Sequence, residues 1–133
     1  MRHFYYILDA DNNPIPATFF GMVANDARRT NRHVGDTRIN GCRVSTVFLG
    51  IDHNHDEGPP ILFETMLFTR RRNSWGKLDQ RQARYCTWKE AERGHADIAR
   101  AVKHKNLTFL SGALERNPID ILFDILNGKR RKK

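Results

Sequence analysis

Residues 44–68, VSTVFLGIDHNHDEGPPILFETMLF, constrain the fold more than any other stretch. Two nearly continuous apolar runs, 43–51 and 61–69, flank a nine-residue loop, DHNHDEGPP. Runs of that length, rich in β-branched and aromatic residues and bounded by turn residues, read as neighbouring antiparallel strands. Their apolar character on both faces implies at least partial cover on each side. Alternation puts Val44, Thr46 and Phe48 on one face of the first strand. It puts Glu64, Met66 and Phe68 on one face of the second. Gly50 marks a bulge or a close backbone approach.

Other elements follow from local signals. Residues 4–8, FYYIL, read as a strand ended by the turn cluster DADNNP. Residues 16–30 carry Phe20, Val23, Ala24 and Ala27 at helical spacing, interrupted by Gly21, with Arg28 and Arg29 near the C-terminal end of the dipole. Arg70, Arg71 and Arg72 run off the second strand into residues 72–82, which read as a polar loop around Gly76. Thr87 and Glu90 form a capping box ahead of an amphipathic helix over about 88–103. Its apolar stripe runs through Trp88, Ala91, His95, Ile98, Ala99 and Val102. A last helix starts at Asn117 and Pro118 and stops at Gly128. Its narrow stripe of Ile119, Leu122, Phe123 and Leu126 suits docking on the body or on a second copy. The expected architecture is α+β: one domain over 1–128, with a small, largely antiparallel sheet, a packed helix, a C-terminal helix, and a basic tail at 129–133.

Bulk properties narrow the class. A chain of 133 residues supports one core. No apolar stretch is long enough for a membrane span, and the N-terminus lacks a signal-peptide core, so a cytoplasmic location is expected. Cys42 and Cys86 lack CxxC spacing and read as reduced structural cysteines. The net charge is +8, but the tail KRRKK supplies five of the 23 basic residues. Without it, 18 basic residues face 15 acidic ones, a balance of +3. The body is therefore only mildly basic. Either the tail merely solubilises, or it is a salt-sensitive arm for an anionic partner.

The candidate chemistry is concentrated in few places. Asp52, His53, His55 and Asp56 are metal-ligand types, and DHNH invites comparison with His-Asn-His nucleases. That comparison lacks a second histidine cluster on a following helix, so the plain reading is an exposed hairpin loop without a metal. Glu64 sits inside an apolar strand and needs a partner, which Arg43, Arg38 or His95 could supply. Glu64 and His95 are thus either a structural network or an acid/base pair, with Asp52 and His53 as further catalytic candidates. Arg70, Arg71 and Arg72, with Trp75 nearby and Lys129, Arg130, Arg131, Lys132 and Lys133 in the tail, are the candidate nucleic-acid contacts. No nucleophile elbow, phosphate loop, dinucleotide fingerprint or zinc spacing occurs, so no cofactor is expected.

The segments VGDTRINGCRVSTVFLGIDHN, GPPILFETMLF and RYCTWKEAERGH resemble a family of small uncharacterised proteins encoded by tailed bacteriophages and prophages. Members show a GD-x-RVSTVFLGLDH-like strand, a GPPLLFETM-like strand and a Y-x-TW-x-EA-x-x-GH helix start. The resemblance covers roughly residues 34–102. This sequence departs from the pattern at Asn40 to Cys42, in the link 70–83 and after Lys105. The resemblance implies a phage accessory protein in an infected host cell and assigns no catalytic residues. The expected function is non-enzymatic binding of a host or phage component, nucleic acid or a nucleotide among them. The alternatives are a small metal-dependent hydrolase or nuclease, and an assembly protein that docks through its C-terminal helix.

Overall fold

The computed structural model describes residues 2–28, 33–69, 75–115 and 126. Arg70, Arg71, Arg72, the tail 129–133 and all of the expected C-terminal helix but Leu126 lie outside that set.

The chain begins with a hairpin. Strand β1, Tyr5–Leu8, pairs antiparallel with β2, Pro14–Ala17. The Asp9 carboxylate accepts from the Asp11 and Asn13 amides, which tightens the turn, and Asn12 takes a positive φ of 63° there. Helix α1, Phe19–Arg28, follows. Thr18 Oγ1 accepts from the Gly21 amide at its start, as an N-cap side chain does. The helix thus begins later than the spacing from residue 16 predicts. Residues up to Ala17 are held in the hairpin, where Pro14 and Pro16 need donate nothing.

The main sheet has the order β3-β4-β5-β6, antiparallel throughout: His33–Ile39, Cys42–Phe48, Phe63–Phe68 and Gln82–Tyr85. The fold is α+β, with two antiparallel sheets and the helices Phe19–Arg28, Trp88–Lys103 and Leu107–Ala113 among the described residues, as the pattern of runs implies. Strands β4 and β5 are the expected neighbours, with Val44 opposite Leu67 and Thr46 opposite Thr65. Strands β3 and β6 are additions to the sequence reading. So is the 3-10 turn Gly76–Leu78, which buries Leu78 inside the expected polar loop. Gly50, at φ 75°, offers its carbonyl to the Tyr6 amide and brings β1 against the end of β4.

Helix α2, Trp88–Lys103, has the bounds its capping box predicts. Thr87 Oγ1 accepts from the Glu90 amide, and Glu90 Oε1 accepts from the Thr87 amide. It packs on one face of the sheet and contacts all four strands, while α3, Leu107–Ala113, packs on α2. The core under α2 is in two parts. Phe48, Leu62, Phe63 and Ala91, with Tyr6 and Leu8, form one cluster. Val44, Leu67, Ile98, Val102 and Leu110 anchor the other. Edge-on contacts from Phe63 to Trp88, 6.1 Å between centroids, help seat the helix start. No helix among the described residues is long and apolar enough to cross a membrane.

Candidate functional site

Between the two core clusters lies a polar layer. Strand alternation that points Val44 and Phe48 at α2 also points Thr46 there, and the register brings Thr65 beside it. Helical spacing places His95 one turn from Ala91 and one from Ile98. The Thr46 and Thr65 hydroxyls are 2.6 Å apart, and Thr46 Oγ1 is 2.7 Å from His95 Nδ1. Thr37 Oγ1, on β3, is 2.8 Å from His95 Nε2. A neutral imidazole has one donor and one acceptor, and hydroxyls serve either role, so both ring nitrogens are satisfied. Burial pushes the His95 pKa down, with Asp36 opposing weakly. The Tyr85 hydroxyl ends this layer. It is buried beside Thr65 without hydrogen-bond geometry to any partner, and burial raises its pKa.

Glu64 lies on the other face of the sheet. Its carboxylate accepts from Arg84 Nε at 3.0 Å, and its side chain keeps 14% exposure. Its partner is therefore a β6 residue rather than Arg43, Arg38 or His95. The expected acid/base pair does not form, because strand alternation puts Glu64 on the face opposite Thr65, whose hydroxyl meets Thr46 in the layer that holds His95.

The 52–60 loop is pinned rather than free. Asp52 is buried, and its Oδ1 accepts from the Asn54 and Ile61 amides at 2.8 and 3.0 Å. Its Oδ2 takes Nε and a terminal nitrogen of Arg2, each at 2.8 Å. Burial alone would raise its pKa. The Asn54 amide, Arg2 and the Ile61 amide outweigh that and hold it below the usual carboxylate value. Asn54 continues the staple, donating to the Pro59 carbonyl and accepting from the Asp56 amide. His53 is half-buried, and burial followed by the charge of Arg84 lowers its pKa. His55 and Asp56 are exposed. Among the described residues, no group of three or more His, Cys, Asp or Glu side chains is arranged to hold a metal.

The face of the sheet away from α2 carries the remaining chemistry. Arg38, Arg43 and Phe68 stand in one row across β3, β4 and β5. Asp36 takes Arg43 in a two-pronged pair, at 3.0 and 3.1 Å, and that hydrogen bonding lowers the Asp36 pKa. The Arg43 guanidinium also lies 5.9 Å from the Phe68 ring centroid. Arg38 is exposed and forms no ion pair among the described residues. These side chains border a groove of about 460 Å³ that the turn of Asn40 and Gly41 also lines. Asn40 donates to the Val102 and Lys103 carbonyls and so fixes that turn to the end of α2. A second cavity, about 300 Å³, lies between α2 and α3 and is lined by Asp97, Arg100, His104 and Phe109 among others.

Of the predicted nucleic-acid contacts, Trp75 is half-buried against the Val44 and Leu67 cluster, where packing already uses part of its ring. Sequence reasoning missed the Arg38, Arg43 and Phe68 row, because neither arginine lies in a charge run. Comparisons with protein-family models, curated proteins and solved structures find no match to this chain.

Proposed function

We propose that this chain is a non-enzymatic accessory protein that binds nucleic acid through the open face of its four-stranded sheet. One observation carries the reading: the Arg38, Arg43 and Phe68 row beside a groove, with one arginine held in place and one unpaired among the described residues. Two guanidiniums against one Asp36 carboxylate leave a local positive excess, which suits phosphate. The sequence continues directly from β5 through Thr69 into Arg70, Arg71 and Arg72, and it closes with the basic tail. By composition, both add to the chain's positive charge. The phage setting is supported by the sequence resemblance alone.

The enzymatic alternative has less support, since its candidate groups have structural work. Asp52 is saturated by amides and Arg2, Glu64 is paired with Arg84, and both His95 nitrogens face threonine hydroxyls.

Fluorescence anisotropy with labelled DNA and RNA, titrated with salt, tests the proposal. The expected result is binding that weakens log-linearly with salt. Absence of binding at low salt would overturn it.

A further inference from the structure

We infer that the groove at the end of the β3–β4 hairpin takes one base–phosphate unit of a single-stranded nucleic acid, stacking the base at Phe68 and holding the phosphate with Arg38. The inference rests on the nucleic-acid reading above and names the ligand form that this site recognises.

The argument starts from the ring. Phe68 is the last residue of β5, points away from α2 and remains 37% exposed. An exposed phenylalanine at a strand end is ordinary by itself. This one lies on the wall of a groove and has a guanidinium over it. Asp36 fixes that guanidinium through two hydrogen bonds, so the Arg43–Phe68 stack is organised before any ligand arrives. A planar base entering the groove extends an existing stack and orders few side chains.

Charge then sets the second half of the ligand. Arg38 is directly opposite Arg43 across the β3–β4 ladder. Like charges in that register oppose each other. Asp36 relieves Arg43, and an incoming phosphate would relieve Arg38. Asn40 and Gly41 also line the groove, and two hydrogen bonds from Asn40 attach their turn to the α2 terminus.

Form follows from shape. A volume of about 460 Å³ falls toward the lower end of small-ligand sites, roughly 300–1,000 Å³. It admits a single unit rather than a helix. Duplex DNA hides its base faces within the stack and offers this ring only phosphates and edges. A single strand can splay a base onto an exposed aromatic on a sheet surface.

The test uses the full chain and anisotropy with labelled 12-nucleotide DNA and RNA, single-stranded and duplex, and AMP as competitor. The variants are Phe68→Leu, Phe68→Tyr and Arg38→Gln, each checked for native unfolding behaviour. We expect single strands to bind more tightly than duplex. Phe68→Leu should weaken single-strand binding by roughly tenfold with the salt slope unchanged, and Phe68→Tyr should retain it. Arg38→Gln should lower the salt slope by about 0.7. Nucleic-acid binding that all three variants leave intact would overturn this site while leaving the broader reading in place. A preference for duplex, or displacement by AMP at the oligonucleotide's own affinity, would likewise overturn it. Failure of the wild-type chain to bind any nucleic acid would remove both readings together.

Discussion

Gly35 and His95 are in such close approach that a β-carbon on the glycine would sit 2.6 Å from the imidazole ring. The same arrangement recurs in reverse one residue before the histidine. A β-carbon on Gly94 would overlap the Tyr85 hydroxyl. One glycine on the strand admits a ring from the helix, and one on the helix admits a ring from the strand. Together they let α2 settle onto the threonine layer.

That reciprocity predicts the sign of two substitutions. Replacing a mid-helix glycine by alanine ordinarily stabilises by about 1 kcal/mol through helix propensity. At Gly94 the Tyr85 ring occupies the space, and overpacking of this kind costs about 1–3 kcal/mol. Gly94→Ala and Gly35→Ala should each lower stability in urea unfolding. A Gly94→Ala protein more stable than wild type would refute the close packing.

The unpartnered Tyr85 hydroxyl predicts the opposite sign nearby. A buried hydroxyl without a partner costs about 1–3 kcal/mol in desolvation, so removing it returns part of that. Tyr85→Phe should be neutral or stabilising by up to about 1 kcal/mol. A loss above that amount would mean the hydroxyl bonds to Thr65 in solution.

Acid should weaken the helix–sheet contact. Burial lowers the His95 pKa from its ordinary value of 6.5, so the folded state binds fewer protons than the unfolded chain between its own pKa and 6.5. Stability is therefore full above pH 6.5, falls as pH drops toward the folded value, and levels off below it. His53 is lowered for the same reason and titrates in an overlapping window. The Asp36 and Asp52 shifts are downward from 3.8, so their contributions are lost only at more acidic pH. Unfolding between pH 5 and 8 should show the slope, with His95→Gln and His53→Gln each flattening part of it. An unchanged slope in His95→Gln would show that this ring does not titrate on folding.

The physical reason some of this was legible in sequence is locality. The β4 and β5 pair is announced by apolar runs, and α2 by Thr87, Glu90 and its stripe. Strand β6 is not announced, because Gln82–Tyr85 has little β-forming content and is held by β5 and by the paired backbone of Gln82 and Glu115. Without β6 no reading could give Glu64 its true partner, Arg84. Strand β3 is half polar, yet its turn is signalled: Asn40 and Gly41, with φ of 55° and 76°, are the asparagine–glycine pair that hairpins favour. The polar layer needed register. Thr46 meets Thr65 only because the ladder continues irregularly past β4, through the Leu49 amide to the Leu62 carbonyl and the His53 amide to the Ile61 carbonyl. A nine-residue loop does not reveal that count.

Asp52 separates the structural reading of its loop from a catalytic one. Asp52→Ala strips the acceptor from the Asn54 and Ile61 amides, and leaving such donors unsatisfied costs about 1–3 kcal/mol, while Arg2, 42% exposed, returns to water. Asp52→Asn keeps an acceptor and should cost less. If the loop is instead a metal-dependent nuclease site, plasmid, single-stranded DNA and RNA should be cut with magnesium, manganese or zinc, and Asp52→Asn should abolish cutting with little change in stability. We expect no cleavage. A catalytic metal needs carboxylate lone pairs and ligands fixed from more than one element. Here both Asp52 oxygens are engaged, and His55 and Asp56 project from the exposed part of the loop. Cleavage that disappears in His53→Ala, with unfolding unchanged, would replace the proposed binding role by an enzymatic one. Loss of stability in Asp52→Ala without any cleavage by the wild type would leave Asp52 as the anchor of the 52–60 loop.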